Sequence, residues 1–185
     1  MLFLRQLQQI LRRLLSRASG VLITADTRLG AGIVLRRGYR SNRSGSVVIG
    51  PGCTLDTGAV LDAWGGSLRL GSRVFVGPYA VIYGQGGVEI GDDCLIAMHC
   101  RILSSEHAQP PVGVIMRSQP DILKATRLGN DVWLGAGVTV LGGVTLGDGC
   151  IIGAGAVVTH DIPAGAIALG IPARVVGRRP ESTAL

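Results

Sequence analysis

The chain has 185 residues, of which 47% are apolar but only 4% aromatic, with 29 glycines and a net charge of +6. The length suits one domain, the glycines follow no collagen period, and neither a bilayer-spanning apolar run nor a signal-peptide cleavage pattern is visible, so a cytoplasmic location is expected. Few aromatics imply a core too narrow for rings, and the 16% of charged residues implies outer faces covered by other subunits.

The first element, residues 1–20, reads as an amphipathic helix with Phe3, Leu4, Leu7, Ile10, Leu11, Leu14 and Leu15 on one face and Arg5, Arg12, Arg13 and Arg17 opposite. Gly20 ends it. Residues 1–43 hold nine Arg and one Asp, net +8, while the remainder is net −2. Such a helix would cap the open end of the domain that follows, and residues 1–17 would suit peripheral contact with an anionic membrane surface. Nucleic acid is not expected as a partner, because no aromatics interleave the basic residues.

From Ile23 onward aliphatic residues recur every six positions, first faintly and then, over 128–163, as six consecutive hexapeptides: LGNDVW, LGAGVT, VLGGVT, LGDGCI, IGAGAV and VTHDIP. Position one is aliphatic, position five is small or β-branched and ends with Ile162, and position four is Gly or Asp. A period of six fits neither a helix nor plain alternation, so the unit is a short strand plus a corner, and three units close one coil of a triangular parallel β-helix. Cys53, Cys94, Cys100 and Cys150 all fall at position five and read as core filler. Each interruption of the pattern follows the third hexapeptide of a coil, so the insertions are expected to stack along one edge of the prism. The longest is the loop 108–127.

Just before that loop, the repeat Ile102-Leu103-Ser104-Ser105-Glu106-His107 places a charge at position five, so the chain is expected to turn outward there, leaving His107 at the loop's base. His99 sits at a corner position and His160 at an exposed one. Counting one coil of eighteen residues back from His107 reaches Glu89, which is expected one strand spacing away as an orienting carboxylate, while Glu106 points elsewhere.

The stretches GGVEIGDDCLIAMHCRILSSEH, LGNDVWLGAGVTVLGGVTLGDGCIIGAGAVVTHDIP and ALGIPARVVGRR resemble the hexapeptide-repeat acyltransferases, over residues 49–178. The resemblance implies a left-handed β-helix over 21–178, a tail over 179–185, a homotrimer, and acetyl-CoA as acyl donor with no metal. It is nearest to the sugar O-acetyltransferases of the galactoside, maltose and surface-polysaccharide type, which implies a sugar or glycan hydroxyl as acceptor. It further implies that His107 is the general base, with CoA held by Trp133, Ala136, Ala154, Thr159, His160, Arg174 and Arg178. Where the galactoside and maltose enzymes have an Asn-rich acceptor stretch, this chain has Val76-Gly77-Pro78-Tyr79.

A sugar hydroxyl is a weak nucleophile at neutral pH, so a neutral imidazole is required to take its proton as it attacks the thioester. The same base would serve a serine or other small acceptor, and a structural solenoid would bind no CoA. A zinc carbonic anhydrase on this scaffold needs three convergent His, which the spacing of His99, His107 and His160 does not supply.

Overall fold

The computed structural model describes residues 20–180, so the expected helix over 1–20, with its capping and membrane roles, and the end of the tail lie outside the described residues. Among these residues no helix is long and apolar enough to cross a membrane.

Three parallel sheets run the length of a triangular prism. The first face begins with Val21–Ile23 and ends with Thr145–Leu146; the second runs from Arg28–Leu29 through Ile151–Ile152; the third runs from Val34–Arg36 to Val157–Val158. The second face is extended by Ala166–Gly170 and closed by Ala173–Arg178, which folds back antiparallel upon it. Most strands are two to four residues long because a corner intervenes after each. Gly137, in the fourth position of its repeat, has φ +71°, the left-handed region glycine enters at low cost. Gly135, in the second position, meets the next coil so closely that a Cβ would lie 2.6 Å from the amide nitrogen of Ala154.

The position-one residues form three buried columns. Ile49, Leu70, Ile90, Leu128 and Leu146 share the first, with Leu55, Val76, Ile96, Leu134 and Ile152 in the second and Leu61, Ile82, Ile102, Val140 and Val158 in the third. Each such side chain stabilises the fold by roughly 1.5–3 kcal/mol through burial. The cysteines fill the gaps between columns as unpaired thiols: Cys53, Cys94 and Cys100 each donate to a carbonyl of the following coil, at 3.1 Å. Burial pushes the Cys94 thiol up to about 11 and that of Cys150 to about 12.

The sixth hexapeptide departs from the expected register. Ile162 pairs with Leu146, so it occupies the position-one column of the first face and not position five of the third. Val140 to Leu146 takes six residues, but Val158 to Ile162 takes four, and this shortened corner holds the half-exposed Thr159 and the exposed His160. The insertions do stack along one edge, between the third and first faces. Hairpin 39–44, the turns 63–66 and 84–87, and the long loop lie in successive coils, tied by Gly65 N to Arg37 O at 2.8 Å and Ser67 N to Gly84 O at 3.0 Å.

Candidate active site

The site is built where the long loop leaves the prism. Ser104 is buried; its Oγ donates to the Tyr83 carbonyl at 2.6 Å and accepts from Gly86 N at 3.0 Å. Thr126, also buried, donates to the Leu103 carbonyl at 2.6 Å and accepts from Gly143 N at 3.1 Å. These two hydroxyls pin both ends of the loop. Between them Ser105–His107 pairs antiparallel with Asp121–Leu123, opposing His107 and Asp121. The charge at position five therefore leaves the core, and Glu106 meets Lys124 Nζ at 2.6 Å.

Nδ1 of His107 lies 2.8 Å from Asp121 Oδ1. Asp121 Oδ2 accepts from Gln85 Nε2 at 2.6 Å, and Gln85 Oε1 accepts from Ser105 Oγ at 2.7 Å. Gln85 is 8% exposed, whereas the His107 side chain is 80% exposed. A buried amide thus fixes a half-buried carboxylate, which in turn holds one nitrogen of an accessible imidazole. The other nitrogen, Nε2, has no protein partner among the described residues. Beside it opens a cleft of about 300 Å³, lined by Trp64, Tyr83, Gln85, Glu106, His107 and Asp121.

Glu89 is not at this site. It stands on the first face in register with Arg69 and Arg127, and pairs with Arg127 at 3.4 Å. The coil-length count fails because the coils here are not eighteen residues long: Leu70 to Ile90 takes twenty and Ile90 to Leu128 takes thirty-eight. Asp121, supplied by the far side of the loop, holds the place expected for Glu89. Its position was not readable from spacing, since a hairpin inside a twenty-residue insertion obeys no hexapeptide period. Gln85 could have been found, because the short insertion after Tyr83 stacks one coil away from the loop on the same edge.

The expected CoA-contacting residues fall into separate groups. Thr159 and His160 lie on the same edge as His107, their side chains joined at 2.8 Å, beside a hollow lined also by Lys124, Gly142 and Gly143. Trp133 projects from the second face, 49% exposed, and Ala136 and Ala154 stack at the corner between the second and third faces. Arg174 pairs across from Leu169 near that second edge, while Arg178 is turned to the remaining corner, donating to the Ala164 carbonyl at 3.1 Å. Arg179 beside it bridges to Asp131 at 2.6 Å. Within one chain, therefore, the groups of Trp133 and His107 are on different edges. His99, with φ +58°, occupies its corner and stacks on Tyr79 at 5.4 Å.

An exposed, carboxylate-held imidazole beside an open cleft on a parallel β-helix is suited to general-base group transfer, and comparison with known proteins adds the family. The family model described as "Bacterial transferase hexapeptide (six repeats)" matches residues 125–160, and that described as "Hexapeptide repeat of succinyl-transferase" matches 67–100. WbbJ of Escherichia coli (strain K12), named for O-acetyl transfer in lipopolysaccharide biosynthesis, is 33% identical over 151 residues, 76% of this chain and 76% of that protein. A Mycobacterium tuberculosis protein named as a probable acetyltransferase is 41% identical over 114 residues, 62% of this chain, which spans only 38% of that protein's length. A hexapeptide-repeat acetyltransferase of Vibrio cholerae O1 biovar eltor, solved with acetyl coenzyme A, has the same fold at a TM-score of 0.62 and 22% identity, over 96% of this chain and 84% of that one. The chain belongs to the hexapeptide-repeat family of acetyltransferases.

Proposed function

We propose that the protein transfers the acetyl group of acetyl-CoA to a hydroxyl of a sugar or glycan, with His107 as general base and Asp121, in place of Glu89, as its orienting carboxylate. The observation that carries this is the 2.8 Å contact between His107 Nδ1 and Asp121, which leaves Nε2 without a partner among the described residues on a ring that lines an open cleft. The likeness to WbbJ supports a saccharide hydroxyl as acceptor.

In the reaction, Nδ1–H donates to Asp121, which selects the tautomer whose Nε2 lone pair faces the acceptor. Nε2 takes the hydroxyl proton as the oxygen attacks the thioester carbonyl, and the imidazolium is stabilised by the Asp121 carboxylate. Collapse of the tetrahedral adduct breaks the carbon–sulfur bond, and the proton passes from Nε2 to the departing CoA sulfur. All four cysteines are free thiols buried in the prism, so none is accessible as a nucleophile.

The coil is taken as left-handed and the assembly as a homotrimer, both on the family resemblance. The trimer is supported by the division of the site residues between two edges: packing one chain's His107 edge against a neighbour's Trp133 edge would bring Thr159 and His160 together with Ala136, Ala154 and Arg174 around one CoA. It is also supported by the outward column on the second face, where Leu95 is 52% and Trp133 49% exposed in direct register. The reading is tested by assaying CoA release from acetyl-CoA with oligosaccharides, nucleotide sugars and serine. Saccharide-dependent release that vanishes in His107→Ala supports it; release driven by serine alone, or none at all, rejects it.

A further inference from the structure

The edge that carries His107 continues past the catalytic cleft, and its further coils carry aromatic and basic side chains that take no part in the proton transfer. One coil below lie Tyr83 and Gln85, two below lies Trp64, and three below lies the hairpin Tyr39–Arg40/Arg43–Ser44. The rings of Trp64 and Tyr83 contact each other at 5.8 Å and 31°, forming one wall of the cleft. Trp64 is 46% exposed and held at φ +47°, a region a bulky aromatic residue seldom enters. Its conformation is held by Asp62, 2% exposed, whose carboxylate accepts from Trp64 N at 2.8 Å. A buried carboxylate that props a strained, outward tryptophan beside a catalytic histidine is an arrangement that core packing alone does not require.

Beyond Trp64 the edge is basic. Arg40 packs so closely under the Trp64 turn that a Cβ on Gly65 would collide with it, and Arg43 is paired with it in the hairpin register. Among the described residues neither Arg40 nor Arg43 has an acidic partner, whereas Glu106 and Asp121 near the base are each already paired. At one strand spacing per coil, the hairpin lies roughly 14 Å along the axis from His107, which is the length of two to three sugar rings.

We propose that this edge is an extended acceptor subsite for an anionic saccharide: a sugar ring lies with its apolar C–H face on Trp64 and Tyr83, and a phosphate or carboxylate on the same molecule pairs with Arg40 and Arg43. The proposal rests on the acetyl-transfer reading and adds the charge and the span of the acceptor. Tyr39, 69% exposed at the head of the hairpin, extends the same surface.

The test is calorimetric binding of three probes to the full chain: UDP-glucose, carrying phosphate; trigalacturonate, carrying carboxylates; and neutral maltotriose. At least one anionic probe is expected to bind about tenfold or more tighter than maltotriose, the factor one charge-assisted contact supplies, and to weaken as salt rises. Which of the two prevails identifies the anion. Arg40→Ala/Arg43→Ala should erase the preference, Arg40→Glu/Arg43→Glu should reverse it, and Trp64→Ala should weaken all probes. Circular dichroism and acetyl-CoA affinity, measured on the same samples, report whether each variant is folded.

Equal binding of charged and neutral probes, or a preference that survives loss of both arginines, overturns the inference. So does a loss of sedimentation with phosphatidylglycerol vesicles in Arg40→Ala/Arg43→Ala with saccharide affinities unchanged, which would make the edge a lipid contact. Failure here is separable from failure of the transfer reading: the preference is read in binding, and His107→Ala should retain it while losing turnover.

Discussion

Asp121 reaches His107 across an antiparallel hairpin, carboxylate to Nδ1 at 2.8 Å, although thirteen residues of chain separate them. The contact ties the long insertion to the proposed general base. Replacing His107 with Ala should lower kcat by at least about 10²-fold, the low end for loss of a general base. Asp121→Asn should cost less, about tenfold or more, because the base remains while its tautomer and imidazolium lose support. Glu89→Gln should stay within about twofold, since its Arg127 pair is solvent-exposed and shares no contact with His107 or Asp121. Steady-state release of CoA measures all three; a Glu89 effect larger than that of Asp121 would reverse the assignment.

In the proposed reaction Gln85 would act through Asp121, as a positioning residue. Gln85→Ala removes the 2.6 Å donor to Asp121 and the 2.7 Å acceptor for Ser105. A loss of about tenfold in kcat with acetyl-CoA affinity intact is expected. Gln85→Glu would set a second carboxylate against Asp121, so its pH–rate profile should shift, whereas a purely structural role would leave the profile in place.

Gly86 stands under the loop's base, where an added Cβ would run into the Ser104 carbonyl and meet Lys124 N at 2.7 Å. Gly86→Ala should destabilise by about 1–3 kcal/mol, as overpacking does, and should also move the hairpin that aligns His107 with Asp121. Thermal melting and turnover are expected to fall together. Gly137→Ala has open space around its Cβ, so only the cost of its φ of +71° should appear in the melt.

The buried thiols predict an alkaline limit. The folded pKa of Cys150 is raised by burial from 9.0 to about 12, and that of Cys94 to about 11. Below pH 9 both states hold the proton and stability is unaffected; above it the unfolded chain ionises first, so stability should fall as pH rises from about 9 toward 11 or 12. Cys94→Val and Cys150→Val suit a column that already alternates with Val74 and Val132, and should flatten this decline in denaturant titrations while costing less than about 1.5 kcal/mol at neutral pH.

If the site is shared between neighbouring chains, two inactive variants should complement each other. Trimers assembled at random from equal amounts of His107→Ala and Trp133→Ala chains would have about one interface in four with both residues intact, and should recover about a quarter of wild-type turnover. A mixture as inactive as its parts would mean that His107 and Trp133 serve the same chain or that Trp133 is not needed.

The hexapeptide period alone determined the prism, its three buried columns, the inward cysteines and the single edge that collects every insertion, because a core this narrow admits aliphatic side chains at position one and small ones at position five and ejects charged ones. It also located His107, through the one repeat where a glutamate replaces a small residue. Partnership within the site was decided only by tertiary structure. Asp121, Gln85 and Trp64 lie in turns and loops whose lengths break the period, so which of them meet depends on how a hairpin folds back and how unequal coils stack. The same cause displaced Glu89, since a residue count converts to distance only while every coil has the same length, and the two coils on either side of Ile90 take twenty and thirty-eight residues.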